Sequence, residues 1–508
     1  MKKILYILLI TLIFTGCSDD DFGVTPFIPV TDAAPPTNPP AYSSGMADFS
    51  NFVSVGNSLT AGYSDGALFV AGQENSYPNI LAKQFALAGG GTFSQPLMND
   101  NLGGLLLGGQ QITSNRLYLS FASGSPAPAA VSGTPTTEVS NILTGSFNNM
   151  GVPGAKSFHL GAAGYGNVAG VAVGLANPYY ARMASSPNAT VIADAMSQNP
   201  SFFSLWIGNN DILGFATSGG AGEDQTGNFD PTTYGGNDIT DPNVFASVYN
   251  GLLGGLASTG AKGIVANIPS VTSIPYFTTV PYNAIPLDAA TAGAVNQGYA
   301  PYNGGIQQAL AALTGTGLFT AEEAAKRTIT FTAGQNAVVI IDEDLTDLGA
   351  INPAFAALPK YRQATAEDLL VLTSRTFLGT VVNNNPQLIN GVSVPLADKW
   401  VLTPEEQEAV EVARTSYNQT IKALATQYDV AFYDADQGLL DLLTGISQNG
   451  ITTTAVYATG GGFSLDGVHP SPRGYAIIVN GMVDVINAKY QSNLPKVNVG
   501  LYTGVYLN

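Results

Sequence analysis

Three features predict an α/β fold, a three-layer α/β/α sandwich with a largely parallel sheet and long insertions. Short, continuous apolar runs end in glycine or proline, as strands buried on both faces do. Helix-start signals follow several of these runs, and strands alternating with helices favour a parallel sheet. The strings that could carry chemistry are spread over almost all of a 508-residue chain, longer than one core usually serves. Insertions into one domain account for that spread better than two separate domains.

In chain order, the first strand is expected at residues 49–55, where Phe52, Val53 and Val55 lead into Gly56 and then a turn and helix. Residues 86–148 are rich in Gly, Asn and Ser, with isolated apolar runs such as Leu105, Leu106 and Leu107, and read as a long insertion of little regular structure. Residues 202–207, closed by Gly208, and 263–268, closed near Pro269, are the next strands. Residues 281–400 interrupt the rhythm and read as an inserted cap. Thr403, Pro404 and Glu406 then supply a hydroxyl cap, a first-turn proline and a glutamate at the third helical position. Val410, Ala413, Tyr417, Ile421 and Leu424 continue at helical spacing, and a strand at 430–433 follows. Ser471 and Pro472 open a last helix with Tyr475, Ile478, Met482, Val485 and Ile486 on one face. The domain so outlined spans 49–490, leaving 491–508 as a C-terminal tail.

Only 11% of residues are charged and the formal net charge is -18. With 18 Lys and Arg in total, neither a nucleic-acid surface nor a polybasic membrane patch is expected. Lys2 and Lys3, the apolar run 4–14 and the string Phe14-Thr15-Gly16-Cys17 together resemble a bacterial lipoprotein signal, although the position three before Cys is usually Leu in such signals. That resemblance implies a signal peptide at 1–16 and a lipid on Cys17. Cys17 is also the only cysteine, so no intrachain disulfide forms. Asp19, Asp20 and Asp21 resemble the export signal of Bacteroidota surface lipoproteins, and the proline-rich stretch 17–48 reads as a tether. The expected location is the cell envelope, as a monomer anchored by lipid to the outer membrane and facing the surface.

In an open parallel sheet, loops at the carboxyl ends of the strands share one crevice. Ser58, in Gly56-Asn57-Ser58-Leu59, sits just past the first strand, and Asn210, in Gly208-Asn209-Asn210-Asp211, just past the second. His469, in Asp466-Gly467-Val468-His469-Pro470, precedes the last helix. Acyl transfer needs a nucleophile, a base within hydrogen-bond reach and donors for the oxyanion. The chain has two histidines, His159 and His469. Asp466, three residues before His469, can fix its tautomer, which makes His469 the stronger base candidate, while His159 reads as a partly buried, hydrogen-bonded histidine near the second block. Asn210 could donate its amide to the oxyanion, Gly154 a backbone N–H, with Gly151 its nearest rival, and Ser58 a third N–H.

These blocks resemble the SGNH (GDSL) hydrolase family, in which Ser, Gly, Asn and His come from separate strings in this order. The resemblance implies a flavodoxin-like sheet, Ser58 as nucleophile, Asp466 and His469 as the assisting base, and Ser58, Gly154 and Asn210 as the oxyanion hole. The first block departs from the family pattern, since Gly-Asp-Ser-Leu is Gly-Asn-Ser-Leu here, which puts efficiency in question before mechanism. The expected activity is hydrolysis of carboxylic esters, of lipids or acylated glycans, with no cofactor or metal. The alternative is a surface lipoprotein of the same fold that has lost turnover and binds glycan or lipid. The acidic string Asp342-Glu343-Asp344 with Asp347 lacks the glycine and spacing of an EF-hand loop and reads as a solvated turn. Two histidines and one cysteine make a zinc site improbable.

Overall fold

The computed structural model describes residues 41–122 and 126–507. The signal peptide, Cys17 and most of the tether lie outside the described residues. Five parallel strands form the central sheet: β1 (Phe52–Gly56), β2 (Asn149–Gly151), β3 (Phe202–Trp206), β4 (Lys262–Ala266) and β5 (Ala431–Tyr433). Their spatial order is β2-β1-β3-β4-β5, the doubly wound order in which the chain moves one way from β1 to β2 and the other way from β1 to β3. β1, β3 and most of β4 are buried on both faces, which is why their sequences lack polar alternation.

Nine helices matter for the site and its surroundings: α1 (Ser58–Ala61), α2 (Tyr77–Ala86), α3 (Val191–Ser197), α4 (Asn210–Thr217), α5 (Pro242–Ala257), α6 (Ala289–Leu313), α7 (Pro404–Gln427), α8 (Ala435–Thr444) and α9 (Pro472–Tyr490). α2 packs with α9, whereas α3, α4, α5 and α7 pack among themselves, giving a helical layer on each side of the sheet. Of the two caps read from sequence, the one at Ser471 is made, and at Thr403 the glutamate half is made while the Thr403 hydroxyl has no partner. Glu406 Oε2 accepts the Thr403 N–H at 2.6 Å, and Ser471 Oγ accepts the Gly474 N–H at 3.1 Å.

Register sets the height of the site. Gly56 pairs with Gly151 on one side and Trp206 on the other, so β1, β2 and β3 end level. A buried bond of 2.6 Å between Ser54 and Ser204 hydroxyls joins β1 to β3, and Tyr77 of α2 contacts both at 3.2 Å. A slip of one residue would drive these hydroxyls into the opposite face.

Several boundaries differ from expectation. The first strand starts at Phe52, and β2 was not foreseen, because Asn149-Met150-Gly151 has no apolar run and pairs only with β1. The compact body begins at Tyr42, with the Met46 N–H on the Tyr490 carbonyl and Ala47 buried, rather than at residue 49. The insertion at 86–148 is more regular than expected: Leu105–Leu107 pairs with Gln110–Gln111 and Thr137–Glu138, and Leu117–Ser120 with Ala127–Ala130. The C-terminal tail is packed, burying Leu494, Val497 and Val499. Residues 281–400 carry two apolar clusters of their own, around Val339 and Ile340 and around Ile306 and Leu348. The acidic string in that segment is no solvated turn throughout. Asp342 is fully buried and, with Asp368, holds the buried Arg362 guanidinium, because a charge at that depth needs a partner. Among the described residues no helix is long and apolar enough to cross a membrane.

Candidate active site

Two residues past β1, Ser58 opens α1, a helix of one turn capped by Asn57, whose Oδ1 accepts the Leu59 N–H at 3.0 Å. Asn57 is fully buried, and its amide nitrogen donates to Asn209 Oδ1 at 3.1 Å. The position therefore uses both an acceptor and a donor. An aspartate would supply only the first, so the asparagine in this block ties the nucleophile's turn to the string after β3.

Ser58 Oγ lies 2.9 Å from His469 Nε2, and His469 Nδ1 lies 2.9 Å from Asp466 Oδ2. Asp466 Oδ1 also accepts the backbone N–H groups of Val468 and His469 at 2.8 Å each, and Oδ2 accepts that of Gly66 at 2.9 Å. Burial alone would raise this carboxyl. The His469 charge, the His469 ring hydrogen bond and the backbone donors outweigh burial and hold it down at about 2. An ionised Asp466 fixes the proton on Nδ1, which leaves the Nε2 lone pair facing the serine hydroxyl.

The string after β3 makes a separate tie with each of its three polar side chains. Asn209 receives Asn57, Asn210 Nδ2 donates to the Ala155 carbonyl at 2.9 Å, and Asp211 accepts the Ser157 N–H and hydroxyl at 2.8 and 2.7 Å. Asn210 shares one cavity with Ser58 and His469, and its bond to Ala155 uses only one of its two N–H groups.

Gly154 sits in the turn after β2 at φ +80, exposed, with open space where a Cβ would stand. It does not line that cavity; it neighbours Ala155, which anchors Asn210. Gly151 has a different role. A Cβ there would sit 2.3 Å from the Ala61 nitrogen, so its glycine lets α1 lie directly on β2.

His159 is placed away from the nucleophile. Its ring stacks on Tyr165 at 4.6 Å and its Nδ1 accepts the Lys156 N–H at 3.1 Å, while burial and the Lys156 charge push its pKa down to about 4.

Sequence reasoning missed the loop after α1. Tyr63 packs its ring 4.7 Å from that of His469 and donates its hydroxyl to the Gly66 carbonyl. Asp65, almost fully buried, accepts the Leu465 N–H at 2.8 Å through Oδ1, while its Oδ2 has no partner. Burial first, and the Asp466 charge in addition, push its carboxyl up to about 7. The one available signal was Asp65-Gly66, which reads as a turn but does not say what the turn supports.

The cavity beside Ser58 has a volume of about 420 Å³. It runs between α8 and α9, with Leu439, Leu442, Phe463, Ile478 and Val485 among its lining residues. Gly474 and Val485 are separated by eleven residues of α9, so the lining follows the helix for roughly 16 Å. Comparisons with protein-family models, curated proteins and solved structures gave no match.

Proposed function

We propose that this chain is a serine hydrolase of the SGNH (GDSL) type that cleaves carboxylic esters bearing an apolar acyl group. The observation that carries the reading is the pair of 2.9 Å contacts linking Ser58 to His469 and His469 to Asp466. In this mechanism Ser58 Oγ attacks the ester carbonyl carbon as its proton passes to His469 Nε2. The oxyanion is met by the Ser58 N–H and the free amide N–H of Asn210; Gly154, outside the cavity lining, acts through its neighbour Ala155, which anchors Asn210. The imidazolium then protonates the leaving alcohol, and water activated by His469 releases the acid from Ser58.

The apolar cavity favours a lipid-like acyl group over a glycan acetate, since each methylene buried there contributes about 0.8 kcal/mol to binding. Lipidation at Cys17 would hold the enzyme at the envelope surface, next to such substrates. The test is hydrolysis of nitrophenyl esters of increasing chain length by wild type and Ser58→Ala. The reading expects kcat/KM to rise from acetate towards medium chains and to vanish in the variant. Equal rates in the two proteins would refute it, whereas a preference for acetate would refute only the acyl assignment.

A further inference from the structure

Away from the crevice, Glu343, Asp398 and Glu406 each bring a carboxylate oxygen within 4.8 Å of the others. Glu343 and Asp398 belong to the insertion at 281–400, and Glu406 to the first turn of α7 in the body of the fold. Glu406 is only 7% exposed. Its Oε2 is used by the Thr403 N–H, but its Oε1 is buried with no hydrogen-bond partner, and so is Asp398 Oδ1. A Cβ at Gly220 would stand 1.7 Å from Glu406 Oε1, so the glycine there leaves room for the carboxylate.

The nearby cations are engaged elsewhere. Lys326 reaches Asp342 and Glu405, at 3.8 and 3.9 Å. Lys360 donates to the Glu343 backbone carbonyl, and Arg362 is held by Asp342 and Asp368. Among the described residues no lysine or arginine forms an ion pair with Glu343, Asp398 or Glu406. Three carboxylates converging without a counter-charge, Glu343 exposed, Asp398 half-buried and Glu406 buried, repel one another unless a proton or a cation lies between them, and the buried Asp398 Oδ1 and Glu406 Oε1 have no N–H donor to offset their desolvation.

We propose that these three carboxylates form a calcium site that pins the insertion to the body of the fold. Calcium takes oxygen ligands at about 2.3–2.6 Å, so two oxygens on one ion lie within about 5 Å of each other, as this cluster's do. The carboxylates offer up to six oxygens and water completes the shell. Magnesium needs a near-ideal octahedron and gives up its water reluctantly, which suits a three-carboxylate, partly buried pocket less well. The ligands come from three separated segments, which is why no contiguous calcium loop is visible in the sequence.

The test uses the full mature chain stripped with EGTA, followed by thermal melting against added Ca2+ and Tb3+ luminescence displaced by Ca2+. The expected result is a rise in Tm with a midpoint at about 0.1–1 mM Ca2+, the range of extracellular calcium modules. Mg2+ should act only at concentrations roughly tenfold or more higher. Asp398→Asn and Glu406→Gln should each shift the midpoint upward roughly tenfold or more while ester hydrolysis at Ser58 is kept; the glutamine amide of the second variant still offers an acceptor to the Thr403 N–H. The proposal is overturned if wild type neither binds Tb3+ nor responds to Ca2+, if both variants respond like wild type, or if Mg2+ is preferred. The wild-type titration decides the matter even if a variant does not fold.

Discussion

Ser58 gains reactivity only through the residues behind it, because a serine hydroxyl at neutral pH is a poor nucleophile until a base takes its proton. Replacing Ser58 by Ala should lower kcat by about 10⁴–10⁶, and Asp466→Asn by about 10⁴ with little change in KM, since the asparagine leaves the imidazole in the wrong tautomer. A steady-state comparison of the three proteins checks both; an Asp466→Asn variant with full activity would remove the carboxylate from the mechanism. Asp65 is predicted to act on stability instead. Its folded pKa of about 7 lies above the ordinary value of 3.8, so between those limits the native state keeps a proton that the unfolded chain has released. Stability therefore falls as pH rises through that window and levels off above it, by at most about 4 kcal/mol. Urea unfolding at about pH 5 and about pH 8 should show Asp65→Asn gaining on wild type at the higher pH; a difference independent of pH would contradict this. Asp466 has the opposite sign. Held at about 2, it contributes stability that is present above about pH 4 and is lost as pH falls towards 2.

At the scale of elements, what positions the chemistry is a set of short strings bonded to one another. Gly208-Asn209-Asn210-Asp211 joins the turn after β1 through Asn209 and the turn after β2 through Asn210 and Asp211. Asn210→Ala should lower kcat about 10²–10³-fold through the lost oxyanion donor. Asn57→Ala removes a cap and leaves Asn209 Oδ1 without its donor, so it should destabilise the fold by about 1–2 kcal/mol, read by urea unfolding. An unchanged midpoint would show that the tie carries no weight. Much of this scale was legible. β1, β3 and β4 are apolar runs with clear stops, β5 follows a well-marked helix, and α7 and α9 begin with capping residues and proline. β2 was not legible, because three residues that pair with a single neighbour need no apolar pattern. Nor was the loop at Tyr63–Gly66, whose contacts with His469, Leu465 and Asp466 cross some 400 positions of sequence and leave no periodicity behind.

At the scale of the whole molecule, the doubly wound strand order brings the carboxyl ends of β1, β2 and β3 level, and the functional strings meet where the winding reverses. The order of Ser58, Asn210 and His469 along the chain was readable without structure, and so was the layering. The cavity was not, because it arises from the spacing between α8 and α9, whose apolar lining residues, such as Leu442 and Ile478, alternate with polar ones such as Gln437 and Asp484 and carry no signal of a groove in sequence. Its proposed role predicts that Ile478→Trp, which fills the groove, lowers kcat/KM for medium-chain esters at least tenfold and leaves the acetate ester nearly unchanged, since only the methylene contacts are lost. Equal losses on both esters would argue against an acyl groove. The most direct measurement is reaction of the wild-type chain with a fluorophosphonate, followed by mapping of the adduct by peptide mass spectrometry. A single adduct on Ser58, absent from Ser58→Ala and from His469→Ala, is the predicted result; no adduct, or one on another residue that persists in both variants, would contradict the assignment.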